Sequence, residues 1–232
     1  MKTTLPRQGR IVALVGAEST GKTTLAHDLF RALLARGHDA VVVSETLRAF
    51  CDTQGRTPRA DEQAALAAEH SRRIREAAQR HTLVLADTTA LMTAVYSDLL
   101  FDDRSLYAEA MAEHARCELT LLTSLDLAWV ADGLQRDGPQ VREPVDRLVR
   151  QALMEAGQPF GIVAGQGNQR LRHALAMVDH MLDAPARVRR STEGAGAGPA
   201  AATPRWRAVC THCDDDASCE QHWLTRGLRN GG

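Results

Sequence analysis

Short, continuous apolar runs alternate along the chain with longer segments in which apolar residues return at helical spacing. The runs IVALVG (11–16), AVVVS (40–44), TLVLAD (82–87), ELTLLTS (118–124) and PFGIVAG (159–165) are unbroken rather than alternating. That is the pattern of strands covered on both faces of a parallel sheet. Leu25, Leu29 and Leu33 recur every four residues and predict a helix over 22–35, stopped by Gly37. The composition of 60–79 and the stretches 89–100 and 105–116 predict three more. Val145, Leu148, Val149, Ala152 and Leu153 predict a helix ended by Gly157, and Leu171, Leu175, Val178 and Leu182 a last one. The architecture expected is a three-layer α/β/α sandwich around a mostly or wholly parallel five-stranded sheet.

A chain of 232 residues, 44% apolar, is enough for one main core and a small appendage. The expected domain covers 1–183. From 184 to 204 Ala, Gly, Pro, Arg and Ser dominate, which predicts a flexible linker, and 205–232 form a separate tail. The formal net charge of −1 gives no electrostatic reason to expect a nucleic-acid partner. The opening MKTTLPRQGR lacks a signal peptide's apolar run, and no stretch approaches the roughly 20 apolar residues that span a bilayer. A cytoplasmic protein without a membrane partner is therefore expected.

The first strand ends in GAESTGKTT, in which Gly16, Gly21, Lys22 and Thr23 satisfy G-x-x-x-x-G-K-[ST] between a strand and a helix. This placement makes the sandwich one of P-loop NTPase type and implies ATP with Mg²⁺. Glycines let the backbone wrap a phosphate, and the amides of Glu18, Ser19, Thr20, Gly21, Lys22, Thr23 and Thr24 become its donors, helped by the helix dipole. Lys22 would neutralise the β- and γ-phosphates. Thr23 offers a hydroxyl to Mg²⁺, with Asp87 at the end of the third strand as the associated carboxylate. Asp87 could equally cap the following helix.

Glu45 and Arg48 follow the second strand at the same end of the sheet, where a carboxylate could bind hydroxyls or draw a proton from the attacking oxygen. An ion pair between them, or a helix-start charge, is the alternative. The stretch from Leu125 to Pro144 is longer than a plain connection and carries Trp129, Asp132, Arg136 and Arg142, as a lid over the phosphates would. Arg136 and Arg142 are candidates to stabilise transferred charge, with solvated surface arginines as the alternative. Trp129 is a candidate acceptor contact.

GAESTGKTTL, E-x-x-R at Glu45 to Arg48, the Asp of LAD at Asp87, WVADGL at 129–134 and G-x-x-x-x-R from Gly165 to Arg170 together resemble the NadR-like AAA domains, over about residues 10–182. That family includes nicotinamide riboside kinase domains. The resemblance implies ATP-dependent phosphorylation of a nucleoside 5′-hydroxyl, with NAD metabolism as its setting. Family members stack the nicotinamide ring on aromatics, yet Ser44 stands before E-x-x-R, 71–80 holds no aromatic, and Gln135 replaces an arginine that often follows D-G-x. These departures argue against nicotinamide riboside itself as the acceptor. Gly165 to Arg170 is a candidate base-side loop.

The tail holds C-x₂-C-x₅-C-x₂-H in Cys210, Cys213, Cys219 and His222, a set of tetrahedral zinc type, with His212 as competing fourth ligand. A structural Zn²⁺ would fold a segment with little core, and Trp206 and Trp223 could pack beside it. A mobile, reduced cysteine cluster is the alternative. A zinc-stabilised tail that docks a protein partner, beside a nucleotide-dependent switch, is the competing function to a small-molecule kinase.

Overall fold

The computed structural model describes residues 8–130 and 139–184. Five strands form one sheet: β1 (Arg10–Val15), β2 (Ala40–Val43), β3 (Leu83–Asp87), β4 (Leu119–Thr123) and β5 (Gly161–Val163). Every pairing is parallel, and the order across the sheet is β2-β3-β1-β4-β5. The expected sheet is therefore the one observed, wholly parallel. Its register sets Leu14 beside Asp87 and Val15 beside Leu122, so β1, β3 and β4 end together.

Among the described residues seven α-helices accompany the strands: α1 (Lys22–Ala35), α2 (Thr46–Gln54), α3 (Ala60–Arg80), α4 (Ala90–Phe101), α5 (Tyr107–His114), α6 (Arg142–Glu155) and α7 (Gly167–Asp183). Side chains alternate across each strand and divide the core between two faces. Val12, Leu14, Leu83, Leu85 and Leu121 meet Leu25, Leu29 and Leu33 of α1 and Ala174, Leu175 and Val178 of α7. On the opposite face, Val15 and Leu122 meet Leu91 and Val95 of α4 and Val145, Val149 and Leu153 of α6. Ile11, Val84 and Ala86 meet Ile74 and Ala78 of α3.

α4 is buried continuously from Ala90 to Ser97, because α3, α5 and α6 all pack on it. Such a helix has no polar stripe, so its sequence shows no amphipathic period. α2 follows Glu45 directly, where the sequence shows only a charged loop. Its nine residues bury just Thr46, Leu47 and Cys51 on one side, too few to display a repeat.

The chain leaves β1 toward β2 on one side of the sheet and later crosses to β4 on the other. The strand carboxyl ends at that reversal form the crevice where open α/β sheets bind ligands. Among the described residues no helix is long and apolar enough to cross a membrane. The predicted linker from residue 185 onward and the zinc-type set Cys210, Cys213, Cys219 and His222 lie outside the described residues, as does Arg136.

Candidate nucleotide and acceptor site

Between β1 and α1 the chain bends through Gly16 at φ 144°, Ser19 at 52° and Gly21 at 74°. At Gly16 a Cβ would stand 2.3 Å from the Thr123 hydroxyl, which donates to Thr20 Oγ1 at 2.7 Å and lies 3.2 Å from the Val15 carbonyl. Neither the backbone angle nor the space tolerates a side chain. Gly16→Ala should therefore destabilise the domain by about 1–3 kcal/mol, the cost of one strained residue. A urea midpoint equal to that of the parent would contradict this close fit.

Lys22 opens α1 and turns back over the loop, donating from Nζ to the Ala17 carbonyl at 2.8 Å. Burial lowers its pKa below the ordinary lysine value, while the charges of Glu45 and Asp87 oppose that shift. Thr23 Oγ1 donates to Asp87 Oδ2 at 2.7 Å, and Asp87 Oδ1 is buried with no hydrogen-bond partner. A hydroxyl and a carboxylate in contact, with one carboxylate oxygen still uncommitted, fit a hard divalent cation such as Mg²⁺. α4 begins at Ala90 with Thr89 at its N-cap position, so Asp87 does not serve as that cap.

Glu45 occupies the N-cap position of α2, and Arg48 stands one turn further on. They form an ion pair at 3.8 Å with side-chain exposures of 11% and 45%. Contact between them does not retire them from the site, because both line a small cavity of about 30 Å³ with Glu18, Ser19, Lys22, Thr88, Met92, Tyr96, Trp129 and Val130. A second, wider groove of about 450 Å³ runs along Gly21, Thr23, Thr24, Leu127 and Ala128. Ser19, Lys22, Arg48 and Val130 belong to both. The two spaces meet at the phosphate loop; the groove has the size of an ordinary small-molecule site, whereas the smaller cavity has room for little more than a water and must open to take a larger group.

Tyr96 is absent from any reading of the motifs, yet Thr88, Met92 and Tyr96 recur every four residues and present one side of α4 and its approach to the smaller cavity. That spacing was available, but it is hidden in a run buried on all sides. Ser44, the position before E-x-x-R, is exposed and does not line the cavity.

His70 of α3 fixes the backbone at this wall. Its Nε2 lies 3.1 Å from the Thr88 carbonyl, which can only accept, so Nε2 carries the proton and Nδ1 accepts from Thr46 Oγ1 at 2.9 Å. Burial lowers the His70 pKa and keeps the ring neutral. Thr88 is held at φ 71°, a conformation unfavourable for a β-branched residue.

The segment after β4 is fastened at several points. The Val130 amide donates to Ser19 Oγ at 2.8 Å, and Arg142 Nη1 donates to the Leu127 carbonyl at 2.9 Å. Arg142 is the first residue of α6 and only 8% exposed, not a member of an open loop. Asp126 accepts from Ser124 Oγ and the Gly165 amide, each at 2.5 Å, and from Arg170 Nη1 at 2.9 Å. Burial raises the Asp126 pKa, but these donors outweigh it and hold the carboxyl at about 2.

A phosphate loop at the switch point of a five-stranded parallel sheet, with Thr23 and Asp87 in contact beside it, defines a P-loop NTPase-type α/β domain. The chain matches the family model of an AAA domain over residues 11–170, and it belongs to that family. No curated protein matches it in sequence. Among solved structures it is similar to NadR in complex with NAD and AMP-PNP, at 20% identity and a TM-score of 0.58 over 79% of this chain and 52% of that one. It is likewise similar to NadR in complex with NR, at 20% identity and a TM-score of 0.60 over 79% of this chain and 53% of that one. The chain spans about half the length of these structures, and the likeness is one of fold.

Proposed function

We propose that the protein is a kinase that passes the γ-phosphoryl group of ATP to a hydroxyl of a small, nucleoside-type acceptor. The observation that carries this reading is the junction of two cavities at Ser19, Lys22 and Arg48, with a carboxylate, Glu45, on the far side. A switch that only binds and hydrolyses a nucleotide has no need for a second, carboxylate-lined space behind the phosphate loop.

In this reading Lys22 and the loop amides from Glu18 to Thr24 hold the phosphates. Thr23 and Asp87 hold Mg²⁺, which neutralises developing charge when bound. Glu45 receives the acceptor's hydroxyl and takes up its proton, and Arg48, at the junction, stabilises the group in transit. Tyr96 and Trp129 offer flat faces for a ring. Arg142 serves by anchoring the root of the segment at Leu127; a swing over the phosphates would break that bond and expose a buried guanidinium. Arg136, outside the described residues, is the remaining candidate for a cation beside the transferred group. The similarity to NadR, one of whose structures contains NR, supports a riboside as the class of acceptor.

The experiment is transfer of labelled phosphate from ATP across a panel of ribosides. At least one should be phosphorylated, and Glu45→Gln should lower kcat on it by about 10²-fold or more while leaving nucleotide affinity in place. Transfer to none of the panel by folded protein would sink the proposal.

A further inference from the structure

Arg170 lies in the first turn of α7, 150 residues from the phosphate loop in sequence, yet its Nη2 donates to the Thr20 carbonyl at 2.7 Å. Its Nη1 donates to Asp126 Oδ1 at 2.9 Å and to the Gly165 carbonyl at 3.0 Å. One guanidinium thus joins three segments: the phosphate loop, the segment after β4 and the turn after β5. The residue is 5% exposed. We infer that Arg170, braced by Asp126, is a positioning residue that holds the phosphate-loop backbone in its ligand-receiving shape and so sets the affinity for nucleotide, an inference that rests on the nucleotide-binding reading of Gly16 to Thr24.

The reasoning concerns one peptide plane. The amides after Thr20 can face a phosphate only while the Thr20 carbonyl faces away from it. That carbonyl belongs to a residue with no exposure, and no backbone amide reaches it among the described residues. Buried carbonyls without a donor are costly, so the plane would turn if Arg170 were withdrawn. The Thr20 side chain cannot hold it, because its hydroxyl donates its one proton to the Ala17 carbonyl and meets Thr123. Asp126 in turn fixes the guanidinium by a charge-assisted hydrogen bond, and its other contacts, to Ser124 and the Gly165 amide, tie that carboxylate to two strand ends.

An ion pair serving stability alone would show no preference for a carbonyl two residues before Lys22. The consequence is that nucleotide affinity depends on a residue outside the phosphate loop, and that the loop and the turn at Gly165 respond together.

The test uses AMP-PNP with Mg²⁺ as the probe, calorimetry for its affinity, thermal melting for the folded fraction, and steady-state kinetics on whichever acceptor the panel yields. Arg170→Met should weaken AMP-PNP binding by about 10- to 100-fold, the range expected for an orphaned buried carbonyl. Arg170→Lys, which keeps the charge but reaches fewer acceptors, should recover part of the loss. Asp126→Asn should weaken binding less, and its effect should not add to that of Arg170→Met. In the kinetics KM for ATP should rise, while kcat and KM for the acceptor stay within about twofold.

Unchanged affinity in folded Arg170→Met overturns the inference, as does a fall in kcat at unchanged KM for ATP. If Arg170→Met does not fold, Arg170→Lys decides by the same criterion. Folded parent protein that binds no AMP-PNP overturns the nucleotide reading and this inference with it. Parent protein that binds it but phosphorylates no acceptor overturns the kinase reading alone.

Discussion

Lys22→Ala is expected to reduce phosphoryl transfer by about 10²–10³-fold, the usual cost of removing one preorganised group that stabilises transition-state charge. Lys22 is half-buried against the open groove, and Ala is the strongest helix former at the opening of α1, so the fold should lose little. The Ala17 carbonyl does lose its donor, which sets an upper limit of roughly 1–3 kcal/mol on any destabilisation. Asp87→Asn is the complementary change, since it keeps the shape and the hydrogen bond from Thr23 while removing the charge beside the uncommitted Oδ1. Its rate should recover partly as Mg²⁺ is raised, whereas that of Lys22→Ala should not. Initial rates over a Mg²⁺ series separate the two, and equal rates for Lys22→Ala and the parent would refute the cradle as the seat of the chemistry.

The parts legible in the sequence are those carried by contiguous residues. Five unbroken apolar runs mark five strands, although the edge strand β5 leaves Ile162 exposed where burial on both faces is expected, and G-x-x-x-x-G-K-T between a strand and a helix marks the phosphate loop, because its glycines must stand where the backbone takes positive φ. The parts that were not legible depend on distant contacts. Arg170 pairs with Asp126 across 44 residues and with Thr20 across 150, and no local pattern says that a G-x-x-x-x-R arginine turns inward. Tyr96 was concealed for the opposite reason: a helix packed on every side has no polar face against which a cavity-lining residue stands out. Arg142 looks like a loop cation until α6 is seen to begin at that residue.

These contacts also explain how the two cavities keep their shape. At the ends of β1, β3 and β4, Gly16 follows the strand next to Thr123 and Asp87 stands level with Leu14, two residues earlier, and the segment from Ser124 to Val130 is tied down by Ser19, Arg142 and Arg170 from three different elements. Trp129 therefore stands on an anchored base. The acceptor wall on the other side is fixed by His70, which binds Thr46 at the start of α2 and the Thr88 carbonyl at once. Contacts to a nucleoside would thus come from side chains whose backbones are already held, which reduces the ordering cost of binding.

Stability should fall steeply as pH drops from about 6.5 to about 4, and His114 should account for most of that fall. The ring is 1% exposed, with Nδ1 2.9 Å from Thr89 Oγ1 and Nε2 2.9 Å from Thr120 Oγ1. Burial pushes its pKa down to about 4 from 6.5. The nearest carboxylate on the same helix, Glu113, is engaged by Arg75 at 2.7 Å and Arg116 at 3.2 Å and so offers the imidazolium little compensation. The unfolded chain takes up a proton on this ring below about 6.5, whereas the folded chain resists until about 4. The stabilisation is therefore complete above the higher value and is lost as pH falls through the lower one, by about 3 kcal/mol in all. His70, lowered by burial as well, acts with the same sign. Asp126, Glu62 and Glu69, held at about 2 from ordinary values of 3.8 and 4.5, begin to cost stability only at the lower edge of this window, and the upper part is left to the histidines. Urea midpoints measured from pH 7 to pH 4.5 should drop for the parent and drop far less for His114→Gln, even though that variant starts lower at pH 7 for want of the second threonine bond. Parallel slopes for the two proteins would show that some other group carries the acid sensitivity.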